Sequence, residues 1–193
     1  MTRSYTLKRR AEQQAETRLR IVEAAVALHG KVGPAATTVS MVAAQAGVQR
    51  HTVYAHFPDD RSLYLACSGL AMERSPMPDA GPWRAIADPA ARLQRGLREL
   101  YDWYAENADL AGCVLRDAES HPLTREIVGL RIEPSLATYR DLLGADLGNR
   151  QRAVLNLAMG FPAWRTLVHE SGLNQQEAVE AMVRAVTCCA EPG

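Results

Sequence analysis

From Gln49 to Phe57 the chain reads Gln-Arg-His-Thr-Val-Tyr-Ala-His-Phe. On a helix, Val53 and Phe57 share a face, with Val48 just ahead of them, which leaves Gln49, Arg50, His51, Thr52, Tyr54 and His56 outside. Those outward side chains are hydrogen-bonding groups suited to a nucleic-acid duplex. An arginine can give two parallel hydrogen bonds to guanine O6 and N7. Threonine and tyrosine hydroxyls donate to phosphate oxygens, and so does a histidine ring, more strongly when protonated. The chain offers no catalytic signature beside them. It has no Gly-x-Ser-x-Gly, no phosphate-cradling glycine loop and no His-Glu-x-x-His, since His169-Glu170 lacks the second histidine.

A second short helix must hold the first at a fixed angle. Val39, Val42, Ala43 and Ala46 give residues 39–46 an apolar face, and the alanines allow close approach. Gly47 supplies a positive φ in the turn, where a side chain would strain the backbone. Thr38 is positioned to cap the first of the two helices, with no Glu or Gln three residues later to complete a capping box. Free N–H groups at both helix starts can reach phosphates, which gives Thr38 a second role. Two helices hinged at Gly47 have the layout of a helix-turn-helix, the second helix lying over residues 49–56. A longer helix is predicted ahead of them at about 11–30, burying Leu19, Ile21, Val22, Ala25, Val26, Leu28 and His29 and ending at Gly30 and Gly33-Pro34. Another follows at 60–74. Spacing alone leaves open a helical interaction protein that never meets DNA.

The stretch and its flanks resemble the DNA-binding domain of the TetR family of bacterial transcriptional repressors, over about residues 15–65. The shared residues are Ile21, Ala24-Ala25, Thr37-Thr38-Val39, Ala43, Ala46-Gly47-Val48, Thr52-Val53-Tyr54, His56-Phe57 and Leu63. The resemblance implies an all-α protein with a DNA-binding domain over 1–74, its core at 11–58 and residues 60–74 as connector. A divergent domain over 83–193 would bind a small molecule, dimerise and release DNA. By position, Arg50 and His51 would face bases, and Thr38, Thr52, Tyr54 and His56 would hold phosphates. Three residues depart from the family pattern. Gln49 replaces a capping Ser or Thr, His51 stands where Gly is common, and Asp60 replaces a phosphate-binding Lys. Arg61 stands ready to compensate for Asp60.

The 193 residues carry no net charge, yet residues 1–74 hold 10 Lys+Arg against 6 Asp+Glu and residues 75–193 hold 12 against 16. The first 74 residues are thus the part drawn to a polyanion. Lys8, Arg9 and Arg10 form a basic cluster that reads either as a disordered arm on phosphates or in a minor groove, or as a solvated tail. Cys67, Cys113, Cys188 and Cys189 have no metal-site spacing and are expected to be small buried apolar residues, with a thiol sensor as the alternative. Neither metal nor cofactor is expected. No apolar run is long enough to span a bilayer and no secretion signal is evident, so the expectation is a cytoplasmic protein.

Residues 75–82, with three prolines and a glycine, read as a linker. Beyond it, helices are predicted at 89–107, 109–120, 123–143 with Pro134 inside, 150–171 with Pro162 inside, and 175–190, the prolines kinking or interrupting their helices. Reading two half-sites needs two recognition helices about 34–36 Å apart, hence a homodimer. The last two helices are the candidate interface, through Val154, Leu155, Ala158, Met159 and Leu167 and through Ala178, Ala181, Met182, Ala185 and Val186. The aromatic residues after the linker suggest an effector pocket lined by Trp83, Trp103, Tyr104, Tyr139, Phe161 and Trp164, with Arg116, His121 and Asn156 as polar groups. Aromatics at this spacing also suit a plain core.

Overall fold

The computed structural model describes residues 2–189, with side chains from residue 8 onward. The described residues form helices and connecting turns, with no strand. None of the helices is long and apolar enough to cross a membrane. They separate into two compact units, the first built from the helices up to Arg74 together with Gly112–Val128, the second from Ser75–Ala111 and the chain from Gly129 onward. The segment 112–128 therefore clusters with the N-terminal helices and not with the rest of the chain after residue 83.

In the first unit, α1 spans Thr2–Lys31, α2 Val39–Ala46, α3 Arg50–His56 and α4 Asp60–Arg74. Helix α1 begins well before the expected residue 11 because residues 2–10 contain neither proline nor glycine to stop it. Its packing stripe is Ile21, Ala25 and Leu28. They pack with Val42, Ala43 and Ala46 of α2, with Val53 and Phe57, and with Leu63 and Cys67 of α4. Leu19, expected in this core, is 46% exposed, since two positions before Ile21 it lies off that stripe. Asp59 caps α4, accepting from the Ser62 amide at 2.7 Å.

Two further helices, α6 (Ala108–Ala118) and α7 (Pro122–Arg131), have their 112–128 portions in this unit. The second unit is organised on α5, Pro89–Glu106, which is capped by Asp88 and has Pro at its first turn. It continues with α8 (Glu133–Leu143), α9 (Asn149–Ala158), α10 (Phe161–Arg165) and α11 (Gln175–Cys188). Pro134 interrupts the expected 123–143 helix by starting a new one, since its missing N–H falls in the first turn of α8. Pro162 does the same for α10, which runs on into a π-helical turn at Thr166–Glu170. The carbonyls freed at the end of α9 are taken up by two tyrosines of α5: Tyr101 Oη donates to Ala158 O and Tyr104 Oη to Met159 O, both at 2.8 Å. Helix α11 packs along α5, and a capping box between Asn174 and Glu177 fixes its start. The expected end of this helix at Ala190 lies outside the described residues.

Candidate nucleic-acid interface

The hinge between α2 and α3 is set by local backbone chemistry. The Thr38 side chain accepts from the Met41 amide at 3.3 Å, which satisfies one free N–H at the start of α2. At the other end Gly47 is left-handed (φ 66°, ψ 37°). The Gly47 amide donates to Ala44 O at 3.2 Å and the Val48 amide to Ala43 O at 3.0 Å, the paired bonds of a Schellman closure. A β-carbon at Gly47 would meet nothing within 4 Å, so the positive φ alone calls for glycine. Helix α3 then lies with Val53 and Phe57 buried. Each such side chain contributes roughly 1.5–3 kcal/mol by leaving water.

The other face of α3 is open. Gln49, Arg50, His51 and Tyr54 are exposed, Thr52 and His56 are half-buried, and Thr38 is exposed beside them at the start of α2. Tyr54 keeps 47% of its surface in solvent, which is unusual for a large aromatic side chain with a core so near. Gln49 sits at the N-cap in extended geometry but makes no side-chain capping bond, as its replacement of Ser or Thr implied. The start of α3 relies on backbone bonds from Thr52 and Val53 to Gln49 O. Two arginines of α1 brace the edge of the motif: the Arg18 guanidinium lies 4.4 Å over the Phe57 ring, and Arg20 Nη1 donates to Ala46 O at 3.4 Å. Asp60 is exposed at the start of α4. Arg61 does not compensate for it freely, because its guanidinium pairs with Glu126 of α7 at 2.8 Å.

Behind the motif lies a buried polar cluster that the sequence did not reveal. Asp117, on α6, is 7% exposed, and its Oδ2 accepts the Ala35 amide at 2.9 Å in the loop leading into α2. Arg116 holds the other carboxyl oxygen at 2.9 Å. The approach requires Gly33, which has φ 93° and whose β-carbon would collide with Asp117 Oδ2 and the Arg116 guanidinium. One turn back on α1, His29 is buried against Tyr64 and Cys67 of α4, its Nδ1 3.6 Å from Cys67 Sγ and its ring centroid 5.0 Å from that of Tyr64. The Tyr64 hydroxyl donates to Pro34 O at 2.8 Å. Burial pushes the Cys67 thiol up to about 12, so it is an inert, apolar-like group as expected. The other cysteines depart from that expectation: Cys113 and Cys189 are half-buried and Cys188 is exposed, the last because it lies off the packed stripe of α11.

His29 makes the first unit acid-sensitive. Burial pushes its imidazole down to about 4, with Asp117 opposing and His121 adding to the fall. An unfolded chain takes up this proton near its ordinary value of 6.5, and the folded chain refuses it until about pH 4. The corresponding stability is therefore complete above pH 6.5 and is lost as pH falls through that window, by roughly 3 kcal/mol at its acid end. Urea unfolding of the first unit followed from pH 7.5 to 4 should show this slope, and His29→Leu should flatten it. Equal slopes in the two proteins would refute the assignment.

The residues expected to line an effector pocket do not gather in one unit. Trp83, Trp103, Tyr104, Tyr139, Phe161 and Trp164 belong to the second unit and are buried in its core, Tyr104 packing edge-on to Phe161 at 5.3 Å and Trp83 against Tyr139 at 4.8 Å. Their polar atoms are engaged: Trp83 Nε1 with Glu99, Trp103 Nε1 with Ser75 O, Tyr104 Oη with Met159 O, Tyr139 Oη with Pro78 O and Trp164 Nε1 with Gln175. Arg116 and His121 belong to the first unit instead, Arg116 on Asp117 and His121 Nδ1 at 2.7 Å from Thr124 Oγ1. Asn156 is exposed on α9.

Comparison with known proteins bears on the first unit. Residues 21–67 match the family model for bacterial regulatory proteins, tetR family. No curated protein matches the chain. Among solved structures, the chain is similar to a TetR-like transcriptional regulator from Rhodococcus sp. RHA1, with a TM-score of 0.62 and 15% identity, covering 89% of this chain and 93% of that one. A tetR-family transcriptional regulator from Streptomyces coelicolor gives 0.57 and 18%, over 91% of this chain and 80% of that one. The multidrug binding protein EbrR, in complex with imidazole, gives 0.54 and 20%, over 91% and 96%. At these identities the structures speak for the fold. On the match over residues 21–67 and the hinge geometry those residues adopt, the chain carries at its N-terminal end a domain similar to the helix-turn-helix DNA-binding domain of bacterial regulatory proteins of the tetR family.

Proposed function

We propose that the protein is a ligand-responsive repressor that binds a palindromic operator as a homodimer. The observation that carries this reading is α3 itself, a short helix pinned by Val53 and Phe57 with Gln49, Arg50, His51, Thr52, Tyr54 and His56 left on its free face. Arg50 and His51 read base edges at the start of the helix, and Thr38, Thr52, Tyr54 and His56 bond phosphates. Dimerisation uses α9 and α11. In its favour, Leu157 is 63% exposed on α9, and Val154, Ala181, Met182 and Ala185 are only half-buried. Leu155, Ala158, Met159, Ala178 and Val186, also expected at the interface, are buried within the single chain and support it from beneath. A small molecule taken up by the second unit favours one arrangement of its helices and so changes the separation of the two recognition helices.

Selection of bound duplexes from a random library with the full-length chain tests the reading. The expected result is a two-fold symmetric site whose half-sites are centred about 34–36 Å apart. Enrichment of no sequence, or of a single asymmetric site, would sink it.

A further inference from the structure

The part of α1 that precedes the core stands alone. Residues 8–16 are all exposed, although the helix is continuous through them into Ile21. Where this arm leaves the core it is tied to the DNA-binding motif, through Arg18 over Phe57 and Arg20 on Ala46 O. Its charges are segregated around the helix. Arg10, Gln14, Thr17 and Ile21 recur at helical spacing on one stripe, with Arg18 beside it. Ile21 is fully buried in the core shared with α2, α3 and α4, so the stripe continues the face that packs on the motif. Glu12 and Glu16 lie on the opposite side. Lys8 stands four residues before Glu12 and Arg20 four after Glu16, the spacing of intrahelical ion pairs. No acid stands three or four residues from Arg10 or Arg18.

This geometry decides between the modes that the basic cluster left open. An α-helix is about 10–12 Å across and a minor groove about 6 Å wide, so the arm cannot enter that groove. It can lie along the backbone. At about 1.5 Å per residue, Arg10 reaches roughly 12 Å past Arg18 and the edge of the motif. Resting on the reading of α3 as the groove-binding helix, we infer that the N-terminal arm of α1 is a phosphate clamp: Arg10, assisted by Gln14, bonds the DNA backbone flanking each half-site and adds affinity without base selectivity.

The test uses the full-length chain and a duplex recovered by selection, either trimmed to its two half-sites or extended by about one helical turn at each end. On the extended duplex, Arg10→Ala should weaken binding about tenfold and lower the salt slope by about two units for a dimer. On the trimmed duplex it should bind as the wild type does, and Lys8→Ala, on the acid-matched side, should change neither. Circular dichroism and thermal melting should be the same for all three proteins. Wild-type behaviour of Arg10→Ala on the extended duplex, an equal loss on both duplexes, or an equal loss from Lys8→Ala each overturns the clamp and leaves the role of α3 standing. Failure of the wild type to select any duplex overturns both.

Discussion

Arg50→Ala should weaken binding of the full-length protein to its selected duplex by about a hundredfold or more, with its melting curve unmoved. Arg50 opens α3, is exposed, and makes no hydrogen bond or ion pair with the described residues, so its removal costs the fold little. A bidentate arginine contact contributes about 1–3 kcal/mol of discrimination, and a symmetric dimer makes it twice. Adding Tyr54→Ala should deepen the loss by removing the phenol hydroxyl proposed to donate to a phosphate oxygen. Anisotropy titrations at one fixed salt concentration, on the selected duplex and on one with the contacted base pairs changed, measure both quantities. The single change should also narrow the gap between the two duplexes. A folded double variant that still binds tightly and selectively would place the working surface elsewhere on the molecule.

The second large effect is expected far from the groove. Gly33→Ala should destabilise the first unit by about 3 kcal/mol. Two costs add: a side chain in a left-handed backbone, and displacement of the Asp117 carboxyl, which leaves the Ala35 amide unpaired. In a unit of this size that lowers the melting temperature by about 10 °C or more. Asp117→Ala should cost about 1–3 kcal/mol through the same lost bond. The combined variant should cost less than the two single changes together, because without the carboxyl the new methyl has less to strike. Additive losses would show that Gly33 and Asp117 do not act as one latch.

These two sites also mark what the sequence makes legible. The bounds of α2 and α4 follow from residues at their ends, a capping Thr38, a left-handed Gly47 and Asp59 just ahead of Asp60 at the start of α4, because helix ends are decided by neighbouring backbone groups. Pro134 and Pro162 announce where long helical patterns divide. The outward and inward faces of α3 follow from helical period alone. Asp117 is different. Its partner Ala35 is 82 residues away in sequence, and the only trace it leaves is an acid on the buried side of α6. An acid there promises a partner, and only the fold supplies its identity. The aromatic residues are ambiguous pocket markers for a related reason: period and composition are the same for a lining residue and a filling one. Trp83, Tyr104 and Trp164 are buried in the second unit. Lys8 to Arg10 read as charge without direction until α1 gave them faces.

Helix α3 has seven residues, too few to hold a helical shape in water by itself. Its outward face exists only while Val53 and Phe57 remain docked beneath it. Under the proposed function, occupancy of the operator and folding of the first unit are one linked equilibrium, in which the duplex acts as a ligand of the native state alone. Substitutions at Val53 or Phe57 touch no base, yet each would lower apparent affinity by thinning the competent population. In such a protein the interior is under the same selection as the contact surface.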